Sequence, residues 1–378
     1  MPLKLQASGV LSLSTRGRRF LFDFNFILLF HLYQSSVEII CRHMPTMSSS
    51  IPETDGYVKL SLLDGGSMTG SMSMMHAGSP PDQFRLYDWV FYAYNPKQDR
   101  HLVWDLGMAA SKDEYPPFVH EVYWEKLKVT APSEPVHQQI TRRHAALPSQ
   151  VDAVVFRYIY TLAHDPRKYQ ELMKIKSHAH FDHCRPIRDI FPNATGYFGP
   201  GTKEFCSPGH LEDPSSQWDG RFFDPINSTE RWETLDGSWK PFGYFEKAMD
   251  FFGDGSFWII QAPGHMPGNL CACARLETGE WILLGSDCCH SRSLLDGTHD
   301  FAEFSLPDGS RGCLHMDLPA AKDTIARLKA MESDTGVHIA LAHDVSWMIS
   351  GDNLALASLV EPEFLYKAQR MCPQNAIL

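Results

Sequence analysis

Ser177-His178-Ala179-His180-Phe181-Asp182-His183 puts three imidazoles and a carboxylate within six residues, and no other stretch of the 378-residue chain restricts its fold so tightly. For these groups to meet at one point they cannot lie on a helix, where side chains two positions apart diverge by about 200°. An extended strand end can bring them together, because alternate residues share a face. His178 and His180 then form one pair, and Asp182 and His183 form a second where the chain turns away from the strand. Nitrogen and oxygen donors without an obligatory thiolate suit zinc first, and also iron, manganese or cobalt. The competing reading is a polar loop that happens to be rich in histidine; the spacing of the four donors disfavours it.

Three later residues repeat the placement. His265 lies in the Gly/Pro-clamped turn Ala262-Pro263-Gly264-His265-Met266-Pro267-Gly268, directly after an apolar stretch. Asp287 follows the apolar run Trp281–Ser286, where a carboxylate can bridge two ions, and His343 follows His338–Ala342. Each is a ligand type at the end of a stretch that reads as a strand. Further strands are expected at Tyr57–Leu63, Trp89–Tyr94, His101–Leu106, Val151–Phe156, Thr195–Phe198, Phe257–Gln261 and Leu270–Leu276. Pro186–Phe191 reads as a short helix and Gly65–Gly78 as a loop. Asp317 with Pro319 opens a helix that carries Ala321, Ile325, Leu328 and Met331 on one side. Strands dominate each half of the chain and helices lie between or after them. The expected class is α+β, two mixed sheets between helices in a four-layer αβ/βα sandwich.

With these residues in place, the chain from about Tyr57 onward resembles the metallo-β-lactamase superfamily of hydrolases. His178, His180, Asp182 and His183 match its H-x-H-x-D-H motif, and His265, Asp287 and His343 match its later His, Asp and His. The resemblance implies that His178, His180 and His265 hold one divalent ion, that Asp182, His183 and His343 hold the other, and that Asp287 bridges them. Trp104-Asp105-Leu106-Gly107 looks like the family's early Asp-x-Gly, a position that supports ligands from behind. The bridging Asp and the closing His343-Asp344 pair look most like the N-acyl-homoserine lactonase branch. That branch has a tyrosine three residues after the bridging Asp; here the position is His290, in Asp287-Cys288-Cys289-His290. A histidine there can donate a hydrogen bond or a proton near neutral pH, so Asp182 and His290 are the candidate catalytic residues. A solvated loop histidine is the alternative for His290.

The implied activity is dinuclear hydrolysis, with two ions, zinc by first choice, activating a bridging hydroxide against the carbonyl of a small, largely apolar cyclic ester. Lactams or cyclic carbamates are the next substrates, then thioesters. The span Gly209–Trp258 is dense in Trp and Phe, and Met68, Met72, Met74 and Met75 lie in an early loop; both could wall an apolar pocket or serve as ordinary core. Composition narrows the partners to a small molecule. With 34 basic against 45 acidic residues and a net charge of −11, the chain lacks the positive surplus that phosphate binding needs, which disfavours nucleic acid. A mean hydropathy of −0.26 argues against a multi-span membrane protein. Nine scattered cysteines suit free thiols in a reducing, cytoplasmic setting.

Two segments depart from this pattern. Residues 1–46 are basic, and their apolar run Phe20–Tyr33 contains Asp23 and is too short to span a bilayer. They read as a disordered or mis-assigned extension, with a mitochondrial address as the lesser alternative, before a single hydrolase domain at 47–378. Residues 157–176 separate the buried strand ending at Phe156 from Ser177, where the family runs straight on, and read as an insertion. If that insertion disrupts the ligand cluster, the chain is an inactive binding protein or a defective gene product instead.

Overall fold

The computed structural model describes residues 50–156, 181–266, 268–305, 309 and 311–369, with the backbone of 10–15 and 18–23. The chain divides into two units, Met1–Ser48 and Ser49–Leu378. In the first, β1 (Val10–Thr15) and β2 (Arg18–Asp23) pair antiparallel. The segment 157–176 lies outside the described residues.

The second unit holds two six-stranded sheets. The first runs β3 (Lys59–Ser71), β4 (Gln83–Asn95), β5 (Arg100–Trp104), β6 (Ala153–Phe156), β7 (Thr195–Phe198) and β8 (Trp232–Thr234), in that spatial order. Its first three strands are antiparallel neighbours and the rest are parallel. The second comprises β9 (Lys240–Phe242), β10 (Phe245–Asp250), β11 (Phe257–Gln261), β12 (Leu270–Arg275) and β13 (Trp281–Ser286), with β16 (His338–Leu341) parallel to β13 at its edge. A short pair, β14 (Phe304–Ser305) and β15 (Arg311–Gly312), stands apart.

Both sheets are covered on both faces, and the period of two along each strand divides the core accordingly. Trp89, Phe91, Leu102, Trp104, Ala153 and Val155 meet Phe257, Ile259, Ala272, Ile282 and Leu284 between the sheets. Their alternates Val90, Tyr92, Val103, Val154 and Phe156 face outward onto Val136 and Ile140 of the helix Val136–His144. On the far side, Ile260, Cys271, Cys273, Leu283 and Ile339 pack on Ile325, Leu328 and Met331 of the helix Leu318–Thr335. Each fully buried side chain of this kind contributes about 1.5–3 kcal/mol. Asp317 caps that helix, its carboxylate accepting from the Ala320 N–H at 3.0 Å. The layering is helix, sheet, sheet, helix, as expected.

Three local expectations change. Gly65–Gly78 is not a loop throughout: β3 continues through a bulge between Asp64 and Ser67 to Ser71, and Met72–Met75 form a short helix. The long β4 supplies backbone partners that outweigh the weak strand propensity of this Gly- and Ser-rich stretch. Pro186–Phe191 forms turns rather than a helix. The Glu230 carboxylate takes the N–H groups of Ile187 and Arg188, both at 2.9 Å, and Pro192 ends the turn. Finally, the aromatics of 209–258 are distributed among the core clusters: Trp218, Phe222 and Phe223 under the first sheet, Phe242 and Phe245 under the second, Phe252 and Phe257 between them. Core packing accounts for that aromatic density.

Candidate metal centre

The ends of β5, β13 and β16 and the loop after β11 deliver polar side chains into one buried region. Two of the turns involved hold non-glycine residues at left-handed φ: Asp105 after β5 at +69° and Ser286, immediately before Asp287, at +53°. Such conformations cost about 1–3 kcal/mol each and persist where the surroundings enforce them.

Asp287 lies at the middle of the cluster. Its Oδ2 is 3.5 Å from both His183 Nε2 and His265 Nε2, and its Oδ1 is 3.1 Å from His343 Nε2. Asp182 Oδ2 approaches His183 Nε2 at 2.9 Å. Asp182, His183 and His343 offer donor atoms that all lie within 4.8 Å of one another, as do His265, His290 and His315. All of these residues are buried.

The rings are oriented from behind. His183 Nδ1 meets Asp105 Oδ2 at 2.8 Å and Asp88 Oδ1 at 3.2 Å. His343 Nδ1 meets the Tyr87 carbonyl at 2.6 Å. Carboxylates and carbonyls only accept, so Nδ1 carries the hydrogen in both rings and Nε2 is the atom left to face Asp287 and to bind a cation when the ring is neutral. That is the arrangement by which a supporting group fixes a metal-binding imidazole.

The electrostatics follow from burial and from the density of acids. Burial raises the Asp88 carboxyl to about 6 against the pull of His183. Burial opposes protonation of His343, yet Asp287 outweighs it and the His343 pKa rises. His315, away from direct carboxylate contact, is lowered by burial to about 4 and is neutral at physiological pH. Asp88, Asp105, Asp182 and Asp287 are each inaccessible to solvent and each faces an imidazole. Four buried carboxylates in one region are a concentration of like charge that divalent cations would balance. The donor set therefore fits such ions.

Of the residues expected from sequence, Asp182, His183, His265, Asp287 and His343 come together, and His178 and His180 lie outside the described residues. His290 is buried, 3% exposed, with its ring 4.7 Å from that of His265, so it is not a solvated loop residue. Two residues were not anticipated. Asp88 was signalled by an acid within the apolar strand β4. His315 has no spacing to betray it, standing between β15 and the Asp317 cap.

Beside Asp182, Phe181 packs with Met68, Met108, Tyr115 and Tyr123 in an apolar cluster. Met68 thus contributes next to the centre, whereas Met75 packs under the second sheet.

The fold and centre define an αβ/βα sandwich with its candidate metal-binding groups at the strand ends. No family model matches the chain. It is 25% identical over 334 residues to a metallo-hydrolase, mfmC, of Annulohypoxylon moriforme, which covers 80% of this chain and 82% of that protein. It is 28% identical over 262 residues to gamma-lactamase FDB1 of Fusarium pseudograminearum, covering 64% of this chain and 55% of that protein. It spans 22–28% of the length of other, longer curated relatives. A solved N-acyl homoserine lactone hydrolase shares the fold with a TM-score of 0.53 and 14% identity, over 79% of this chain and 97% of that one. The chain is thus similar in sequence to a metallo-hydrolase and a gamma-lactamase and in fold to an N-acyl homoserine lactone hydrolase, likenesses that support a metal-dependent hydrolase of the metallo-β-lactamase superfamily.

No helix among the described residues is long and apolar enough to cross a membrane. The described cysteines, Cys184, Cys206, Cys271, Cys273, Cys288, Cys289 and Cys313, are free thiols.

Proposed function

We propose that this protein opens a small, largely apolar cyclic ester by dinuclear metal-dependent hydrolysis. The observation that carries the reading is the position of Asp287, whose Oδ2 lies 3.5 Å from both His183 and His265 and whose Oδ1 lies 3.1 Å from His343. Asp182, His183 and His343 would hold one divalent ion, His265 would belong to the second, and Asp287 would lie between them. His178 and His180 are the companions of His265 that the resemblance implies. Zinc suits this nitrogen and oxygen donor set. Two such ions, when bound, supply Lewis acidity toward a carbonyl oxygen and water ionised near neutral pH.

The chain's own groups do the rest. Asp105, Asp88 and the Tyr87 carbonyl hold His183 and His343 in the tautomer that presents Nε2. The likeness to gamma-lactamase FDB1 supports a second reading, in which the ring is a lactam.

A panel of lactones, lactams and thioesters, assayed by pH-stat on protein of measured metal content, separates these readings. Lactone opening that disappears, together with bound metal, in Asp287→Ala is the expected result. Metal-loaded protein that opens lactams and no lactone would replace the first reading with the second.

A further inference from the structure

The loop that carries His265 and the turn that carries Asp287 meet at one buried side chain. The Asn269 amide donates to the Ala262 carbonyl and to Cys288 Sγ, each at 3.0 Å. Ala262 and Asn269 stand at the two ends of the loop between β11 and β12, and Cys288 follows Asp287. From these contacts, and resting on the metal-dependent reading above, we infer that Asn269 is a positioning residue whose amide sets His265 against Asp287 so that both can reach one ion.

Each end of this brace is fixed in its own right. The loop closes on itself, the Ala262 N–H donating to the Asn269 carbonyl at 2.9 Å. Its other side is held to the helix Leu318–Thr335 and the residues before it. There Thr324 Oγ1 donates to the Pro263 carbonyl at 2.6 Å, and Asp317 N–H to the Gly264 carbonyl and Met316 N–H to the His265 carbonyl at 3.0 Å each. None of these bonds reaches the Asp287 turn. That turn has its own constraint: Ser286 holds φ +53°, and the Cys288 N–H donates to the Gly285 carbonyl at 3.2 Å. A left-handed conformation of this kind persists where its surroundings enforce it. The Asn269 bond to Cys288 joins the two halves, and across the join His265 Nε2 stands 3.5 Å from Asp287 Oδ2.

The chemistry of the side chain argues against plain packing. A primary amide has two N–H hydrogens, and there is one acceptor for each. Its oxygen has no hydrogen-bond partner among the described residues, although Asn269 is only 1% exposed. Leaving a buried acceptor unpaired is costly, and a leucine would fill nearly the same volume without that cost. An amide is therefore a poor choice for filling space here. What it supplies is a two-armed donor of fixed width.

Cobalt(II) is the probe, because it accepts the same nitrogen and oxygen donors and its visible absorption reports their geometry. The full chain is freed of metal, loaded with cobalt(II) and titrated with a chelator, with circular dichroism to confirm folding. Wild type is expected to hold about two ions. Asn269→Leu and Cys288→Ala should each release one of them about 10–100-fold more readily and change its visible band. The double variant should bind no more weakly than Asn269→Leu alone, because both substitutions cut the same link. Cys288→Ser, whose hydroxyl still accepts, should keep the wild-type affinity and band. A merely structural Asn269 would lower the denaturant midpoint and leave both unchanged. A folded Asn269→Leu or Cys288→Ala chain with wild-type affinity and band overturns the inference. Losses that add in the double variant overturn it too, as does a loss in Cys288→Ser equal to that in Cys288→Ala. If Asn269→Leu does not fold, Cys288→Ala decides, since it leaves the bond to Ala262 in place. A wild-type chain that takes up no cobalt refutes the metal-dependent reading itself, which separates that failure from this one.

Discussion

Gly264→Ala tests whether the His265 loop depends on close contact with the helix Leu318–Thr335. Gly264 has φ +129°, and a Cβ added there would stand 2.2 Å from the Ala321 backbone nitrogen and 2.3 Å from its Cα. Neither atom belongs to a flexible side chain. To restore ordinary contact, which begins near 3.4 Å, the loop must withdraw from the helix by about 1 Å. That shift breaks the hydrogen bonds from Met316 N–H and Asp317 N–H, worth about 1 kcal/mol each. Backbone strain adds about 1–3 kcal/mol. The expected loss is therefore about 3–5 kcal/mol, read as a lower denaturant midpoint, with loss of the ion beside His265. Gly297→Ala is the control, because Gly297 has φ +71° with nothing within 4 Å of an added Cβ. It carries the conformational cost alone, about 1–2 kcal/mol, and keeps its metal. If the two variants are equally stable and equally loaded with metal, close packing of this loop does not position His265.

The remaining expectations concern charge. Asp105→Asn keeps the shape behind His183 while removing the charge that supports its Nδ1–H, and should weaken metal retention by about 10–100-fold in a chelator competition with the fold intact; unchanged affinity would show that Asp88 alone suffices. His76 is lowered to about 4, first by burial and then by His299. The unfolded chain therefore takes up this proton near pH 6.5 while the folded one resists until about 4, so stability falls as pH drops through that window. His76→Gln should lose about 1–2 kcal/mol less than wild type between pH 7.5 and 5 in urea titrations. Parallel pH profiles for the two proteins would refute a neutral His76.

How far the sequence carried depended on whether a residue's role was local. The strands ending at Ser286 and Leu341 announce themselves by apolar runs followed by a lone ligand type, and the Asp317 cap and its helix follow from local capping chemistry. Asp287 and His343 were legible for that reason. The turn at Pro186–Phe191 was not, because the Glu230 carboxylate that satisfies its N–H groups lies about 40 residues away. His315 was illegible in the same sense. Nothing around Cys313-Leu314-His315-Met316 has a period, and its place beside His265 arises from backbone hydrogen bonds between two loops. Asp88 could have been found, since an acid amid Trp89, Val90 and Phe91 must have a partner, yet nothing in the sequence says that the partner is His183.

The same observations bear on how folding and metal loading are linked. Asp105 and Ser286 hold strained left-handed turns at the ends of β5 and β13, and both turns aim carboxylates into the interior. Strain and buried like charge are separate costs, and in this centre they fall on adjacent residues. Hydrophobic burial between the sheets can offset the strain, because Trp104 and Leu284, which enter these turns, are fully packed. It cannot offset the charge, for packing does nothing to neutralise Asp88, Asp105, Asp182 and Asp287. Protonating one of them, as the raised Asp88 pKa indicates, relieves part of the repulsion; cations would relieve the rest. Ions that bind the folded arrangement and not the open chain add their binding free energy to its stability. The β-sheets can thus form on apolar periodicity alone, while cations bound among these carboxylates would add to the stability of the strand-end turns.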